Sequence, residues 1–378
     1  MRNIPIKILV FSLILSAACS ACNLPSIKPE GSPSSSLTTS PSVLPAATAL
    51  PSSERVCIPT LPQPNALTTK YNTIMEDFEV TAPSGNRLYG LISRPDPDAY
   101  TDMCFPAVVL VPGGINPGRT TAYDDNAKIL AAKGMVVLTF NAEGRVDTRA
   151  SDDLRSEGNE DYNGYRNQDG LCAVVRYAMG LDYVIASNVG LTSQSFGITM
   201  AAGCASRHPE IPIKYIVDGE GPPDSFITCH EPESLDANPS NDMVETIYGI
   251  LGHYSTYRDP SPENLAFWVE REAIRFIGAY RGRYLRLQAT WDHAQPPQNE
   301  AEIRVFTLPP LWWQNKHTTD IVNAAVAGGV PWVRVNLAEQ GNSINATYDM
   351  GHPPVYLPGA LADRTWAVRA ILEMALLP

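Results

Sequence analysis

Six predominantly apolar runs, at residues 107–111, 135–140, 189–192, 215–218, 284–289 and 332–337, constrain the fold of this chain more than any other feature. A strand with one solvated face alternates apolar and polar residues, so runs without alternation suit strands covered on both faces. Between them, apolar residues recur at helical spacing at about 122–133, 168–179, 196–207, 317–327 and 360–376. Strand and helix in alternation predict an α/β fold, a mostly parallel central sheet flanked by helices. Residues 75–80 and 88–93 flank Ser84-Gly85-Asn86 and predict an antiparallel hairpin at the sheet edge. From 218 to 284 the chain is far longer than one crossover helix requires, so an insertion is expected before the penultimate strand, at about 222–282. Within it Leu265, Trp268, Val269, Ala273, Phe276, Ile277 and Tyr280 recur at helical spacing. Such a stripe is better suited to packing on the domain than to binding, and the insertion as a whole reads as a cap.

The chain has 378 residues, 44% of them hydrophobic and 18% charged, enough apolar material for one large domain with a sizeable core. Its formal net charge of −12 argues against nucleic acid as a partner, because phosphate backbones are bound by Lys and Arg.

Residues 1–22 carry Arg2 and Lys7, an apolar run from 8 to 18, and then Leu15-Ser16-Ala17-Ala18-Cys19-Ser20-Ala21-Cys22. The run is too short for a membrane span and reads as a signal peptide. It resembles a bacterial lipoprotein signal, which implies lipidation of a cysteine, export, and attachment to the cell envelope. Cys19 fits better than Cys22, although Leu15 lies one place further upstream than that pattern prefers. Ordinary secretion is the alternative. Residues 23–65, dominated by Pro, Ser, Thr and Ala, read as a disordered tether, and 66–378 as the folded domain. Beyond the signal region stand Cys57, Cys104, Cys172, Cys204 and Cys229, an odd number. Bridges Cys57–Cys104 and Cys204–Cys229 are conceivable, but sequence does not fix connectivity.

Chemistry concentrates at 189–203. A short apolar strand runs into Ser193-Gln194-Ser195-Phe196-Gly197 and then into a run of small, helix-forming residues. A small-x-Ser-x-Gly turn between strand and helix is a nucleophile elbow, with small residues where neighbouring side chains would collide. On this stretch the sequence resembles the α/β-hydrolase superfamily, closest in layout to its dienelactone-hydrolase-like and acetyl-xylan-esterase-like branch. The resemblance runs from about residue 75 to the end, apart from the cap. Ser193 stands where the commonest form has Gly.

The resemblance implies a catalytic acid and a histidine after the serine in the chain. Of six histidines, His352 in Tyr348-Asp349-Met350-Gly351-His352-Pro353 lies after the last strand and before the C-terminal helix, where that family places its base. His208 and His317 are expected at the surface; His230, His253 and His293 are expected to be structural or to touch substrate. Asp292, at the end of the run 284–289 and its turn, matches the family's acid position. Glu220 and Asp218 are the runners-up, and Asp349 is disfavoured because a residue three positions from the histidine is seldom placed across its ring.

Two backbone donors are needed for the oxyanion of a tetrahedral intermediate. Val111-Pro112-Gly113-Gly114-Ile115 is a strand running into two glycines, where the resemblance places half of that oxyanion hole, with Pro112 in place of the family's usual His; it implies that the N–H of Ile115, or alternatively of Gly114, acts with that of Phe196. Gly114, Gln194, Trp291, His293 and Tyr254 are candidate pocket residues, with Tyr248 and Tyr257 in the cap nearby. No metal-ligand spacing and no phosphate loop appear, so no cofactor is implied. The expected activity is hydrolysis of a small or polymer-attached carboxylic ester; a serine peptidase of the same fold and a non-catalytic binding lipoprotein are the alternatives.

Overall fold

The structure is a computed structural model that describes residues 57–62, 71–114, 116–119, 125–147, 154–229, 251–291, 311–361 and 365–378. The segment read as a signal, with Cys19, most of the stretch read as a tether, and Ile115, His230, Tyr248, Asp292 and His293 lie outside the described residues. Glu54–Pro378 is one compact unit.

The hairpin forms as expected. β2 (Thr73–Thr81) and β3 (Arg87–Pro95) pair antiparallel from Thr73 opposite Pro95 to Thr81 opposite Arg87, and Gly85 takes the left-handed position in the turn with φ +88°. β4 (Met103–Val111), β5 (Val136–Phe140), β8 (Val184–Gln194), β9 (Tyr215–Gly219), β10 (Arg283–Leu287) and β12 (Trp332–Val335) coincide with the six apolar runs. Among the described residues they and the hairpin form a sheet of order β12-β10-β9-β8-β4-β5-β3-β2, parallel except where β3 meets its neighbours. A further strand, β1 (Ile58–Pro59), lies within the stretch read from composition as tether and pairs parallel with Met103 and Cys104 of β4. Short pairs β6 (Val146–Asp147) with β7 (Leu154–Arg155), and β11 (Ala289–Trp291) with β13 (Leu357–Ala360), lie off the main sheet.

Alternate side chains of each buried strand enter different cores, as period-2 strands require. Ala107, Val109 and Val111 of β4 join a cluster with α2 (Tyr165–Met179), α3 (Gly197–Arg207) and α7 (Leu311–Ala327), whereas Val108 joins one with α1 (Asp125–Ala132) and α8 (Thr365–Leu376). Among the described residues three short helices lie between β9 and β10: α4 (Ser225–Thr228), α5 (Pro262–Val269) and α6 (Ile274–Ile277). Trp268, fully buried, anchors α5 against Phe196, Cys229 and Leu251, and Ala273, Phe276, Ile277 and Tyr280 of the stripe are buried as well, whereas Leu265 and Val269 are exposed.

The structure corrects three expectations. Cys57 does bridge Cys104, but Cys204 pairs with Cys172, their Cα atoms 5.5 Å apart across the α2–α3 contact, and Cys229 is buried and belongs to neither bridge. The last helix starts at Thr365, not near 360, because Pro358 and Gly359 (φ +78°) hold the preceding residues extended in β13. His317 is fully buried, not superficial: α7 begins at Leu311, which puts His317 in mid-helix beside Thr318, whose hydroxyl donates to Gln288 Oε1 of the sheet layer.

Candidate active site

Strand order fixes where a site can form. The chain leaves β4 for β5 on one side and later returns to β8 on the other, so the carboxyl ends of β4 and β8 flank a topological switch point, where open α/β sheets bind ligands. Register aligns the strand ends: Val111 lies beside Ser193, Ser193 beside Asp218, and Asp218 beside Arg286.

Ser195 stands between β8 and α3 with φ +51°, a left-handed conformation that costs a non-glycine residue energy and persists where surroundings over-determine it. Here its N–H donates to the Gly219 carbonyl at 2.9 Å and its own carbonyl accepts from Ile198 N at 3.1 Å. Close approach explains the glycines. A Cβ on Gly197 would stand 2.5 Å from the Pro112 carbonyl oxygen, and one on Gly113 would stand 2.8 Å from the Gln194 carbonyl oxygen and 3.3 Å from Ser195 Cβ. The two turns named from sequence are therefore in direct contact. Phe196 is the N-cap residue of α3, its side chain buried edge-on against Trp268 with ring centroids 6.4 Å apart. Gly114 has φ +54°, Ser195 is half-buried and Gln194 is exposed.

His352 lies in an exposed turn. Its ring is 89% exposed and its Nδ1 contacts both carboxylate oxygens of Asp349, at 3.1 and 3.2 Å. Asp349 reaches across the ring, against expectation, because its Oδ1 also accepts from the N–H groups of Gly351 and His352, both at 2.7 Å, which folds the segment back on itself. The His352 hydrogen bond, reinforced by those two backbone donors, holds the Asp349 carboxyl below its ordinary range. Among the described residues no hydrogen bond joins His352 to Ser195.

The runner-up acids are occupied elsewhere. Asp218, fully buried, accepts from Arg286 Nη1 and from the Tyr284 hydroxyl, both at 2.6 Å. Burial, with Asp218 beside it, keeps the Tyr284 phenol protonated far above its ordinary range. Glu220, also fully buried and with φ +53°, accepts from the Ala289 N–H at 3.1 Å and so ties the turn after β9 to β11, whose last residue Trp291 precedes Asp292. Among the other histidines, His208 bonds to Asp169 at 2.8 Å, and His253 stacks on Phe267 with centroids 3.8 Å apart. Tyr254 is half-buried under the Arg258 guanidinium and uses its carbonyl to accept from Trp268 Nε1 at 2.7 Å.

A group that sequence reasoning missed adjoins the elbow. Asn163, fully buried with φ +63°, donates through Nδ2 to the Phe196 carbonyl at 2.9 Å and accepts from Arg145 at 2.8 Å. Its sequence neighbourhood, Glu157-Gly158-Asn159-Glu160-Asp161-Tyr162-Asn163-Gly164, reads as a solvated loop; the available signal was its place before the helix that leads into β8.

No family model and no curated protein matches the chain. Among solved structures it is similar to puromycin hydrolase, with 16% identity, a TM-score of 0.52, and coverage of 82% of this chain but only 40% of that one. Others are an acetyl xylan esterase from Paenibacillus sp. R4 (14% identity, TM-score 0.49, 83% and 87% covered) and dipeptidyl peptidase 4 from Porphyromonas gingivalis (16%, 0.46, 69% and 31%). The chain thus spans less than half the length of two of these three. Its sheet order, the strand-turn-helix at Ser195 and the likeness to puromycin hydrolase define it as an α/β-hydrolase fold.

Proposed function

We propose that the chain is a serine hydrolase that cleaves carboxylic esters through an acyl-enzyme. The observation that carries this reading is Ser195 held left-handed at the switch point, in contact with the Gly113 turn. A structural serine has no need of that strain.

In this mechanism Ser195 Oγ attacks the ester carbonyl carbon while His352 Nε2 takes its proton, and the carbonyl oxygen becomes the oxyanion received by backbone N–H groups of Phe196 and Ile115. Collapse expels the alcohol, which leaves with the proton from His352. Water, deprotonated by the same ring, then attacks the acyl-enzyme and releases the acid and Ser195. A carboxylate at Nδ1 holds the productive tautomer. Asp292 is the expected acid, and the Asp349 contact makes that carboxylate its rival. The exposed His352 ring must turn from solvent toward Ser195 for the base to act.

Aromatic groups of the cap and Trp291 favour acyl or aryl groups of short to medium length, held by burial at about 25 cal/mol per Å². Export with lipid attachment at Cys19 belongs to the same reading, and two disulfides, which persist in oxidising compartments, support it.

The test is kcat/KM for nitrophenyl esters from acetate to palmitate and for peptide amides, with Ser195→Ala alongside. Acetate to octanoate should be the best substrates, and Ser195→Ala should lose roughly a thousandfold or more. Amides cleaved faster than esters would make the protein a peptidase. Unaltered activity in Ser195→Ala would sink the proposal.

A further inference from the structure

A buried polar chain joins the serine turn to the glycine turn by a route outside the sheet. Arg145, 3% exposed, follows β5 and pairs with Glu160, Nε to Oε2 at 2.8 Å and Nη2 to Oε1 at 3.1 Å. Its Nη2 also donates to Asn163 Oδ1 at 2.8 Å, and its Nη1 donates to the Asn116 carbonyl at 3.4 Å. Asn116 N–H closes the glycine turn on the Gly113 carbonyl at 3.1 Å. On the other side Asn163 Nδ2 holds the Phe196 carbonyl.

Asn163 is itself tightly fixed. Its N–H donates to Asn167 Oδ1 at 3.0 Å and its carbonyl accepts from Gln168 Nε2 at 3.0 Å, both from α2. Glu160 Oε1 accepts in addition from the N–H of Tyr162 at 2.8 Å.

Burying a guanidinium costs several kcal/mol unless its charge and donors are matched, so this arrangement is not free decoration. It also has a geometry that a simple salt bridge lacks. One planar fork, rigid where a lysine ammonium is a mobile point charge, reaches the glycine turn directly and the serine turn through Asn163.

We infer that Arg145 and Asn163 are positioning residues that set the spacing between the Gly113–Asn116 turn and the Ser195–Phe196 peptide. The inference rests on the proposed function, in which that spacing determines how well the oxyanion is received. Neither side chain needs to touch substrate. Their effect reaches the reaction through the Phe196 and Asn116 backbones.

Asn163→Asp and Arg145→Lys test this. Asn163→Asp keeps an acceptor for Arg145 and replaces the donor to Phe196 with a carboxylate oxygen that its carbonyl repels; Arg145→Lys keeps the charge opposite Glu160 and removes the fork. In each, kcat per titrated active site should fall about tenfold or more with KM within about twofold. Affinity for an alkyl boronic acid, which forms a tetrahedral adduct, should fall in parallel. A merely structural role would lower the fraction of active protein and leave kcat per active site unchanged. Values of kcat within about threefold of the parent in both folded variants would overturn the inference. If Arg145→Lys does not fold, Asn163→Asp decides alone. If the parent protein cleaves neither esters nor amides, the functional reading has failed. The positioning role is then read from crystal structures of parent and variants. Displacement of the Phe196 carbonyl or the Asn116 turn by about 0.5 Å or more supports it, and superimposable turns overturn it.

Discussion

The serine turn and the histidine turn are held in opposite ways. Around Ser195 the backbone is buried and left-handed, and is pressed against Gly113 and Pro112 and tied to Gly219 and Asn163. Around His352 the chain is exposed and organised mainly by one side chain, Asp349, with Asn315 Nδ2 of α7 reaching the Met350 carbonyl at 3.5 Å from outside the turn. The proposed nucleophile is therefore preorganised by the whole fold, whereas the proposed base is organised mainly by its own turn. Catalysis by a triad needs both within hydrogen-bond reach. The movable partner in the proposed mechanism is the histidine, since shifting Ser195 would break contacts from three separate segments.

The largest effect that sharpens this contrast concerns the carboxylate. Asp292→Asn should lower kcat/KM by about two to four orders of magnitude if Asp292 orients His352 in the reacting state. Asp349→Asn should then cost less than about tenfold. A reversed order would make the local contact the catalytic one, and a larger loss in Glu220→Gln than in either would move the acid to the turn after β9. The same steady-state assay on the three variants decides.

Next in size is a matched pair of glycine substitutions. Gly197→Ala forces a Cβ against the Pro112 carbonyl and should cost about 1–3 kcal/mol in denaturant unfolding. Gly351→Ala meets nothing nearer than the exposed Asp349 carboxylate at 3.3 Å and should change stability by less than about 0.5 kcal/mol. Equal costs would erase the difference between the two turns.

The smallest effect is a titration. Asp349 is held below its ordinary range, first by its hydrogen bond to His352. An acid with a depressed native value adds stability above its unfolded value and loses it as pH falls through the native one. In carboxyl NMR, His352→Ala should raise the Asp349 midpoint toward the ordinary range. An unmoved midpoint would mean that the backbone donors alone depress it.

Much of this was legible in the chain because it rests on short-range pattern. Residues buried on both faces gave β4, β5, β8, β9, β10 and β12, and the crowding at Ser195 demanded small neighbours that sequence displays openly. β8 begins five residues before its apolar run because Val184 to Asn188 includes polar, solvent-facing positions that satisfy no run criterion. What pattern does not carry is which polar residues meet after folding. Arg145 and Asn163 look like loop residues until β5, α2 and α3 are assembled around them. The pairing of Cys172 with Cys204 depends on which faces of two helices oppose, and a chain read in one dimension holds no record of that. Asp349 was passed over on average loop geometry, which a turn capped by its own aspartate does not obey.

The Cys57–Cys104 bridge has a mechanical meaning. β4 is an interior strand, and it carries the Gly113 turn at its far end. Tension applied anywhere upstream of Cys57 passes through a covalent bond into that interior strand and bypasses the β2–β3 edge, which would otherwise be the first element to peel. Under reducing conditions the same pull would fall on β1, two residues long, and on the segment leading to the hairpin. The bridge decides whether a load on the N-terminal segment is borne in shear by the centre of the sheet or unzips it from the side.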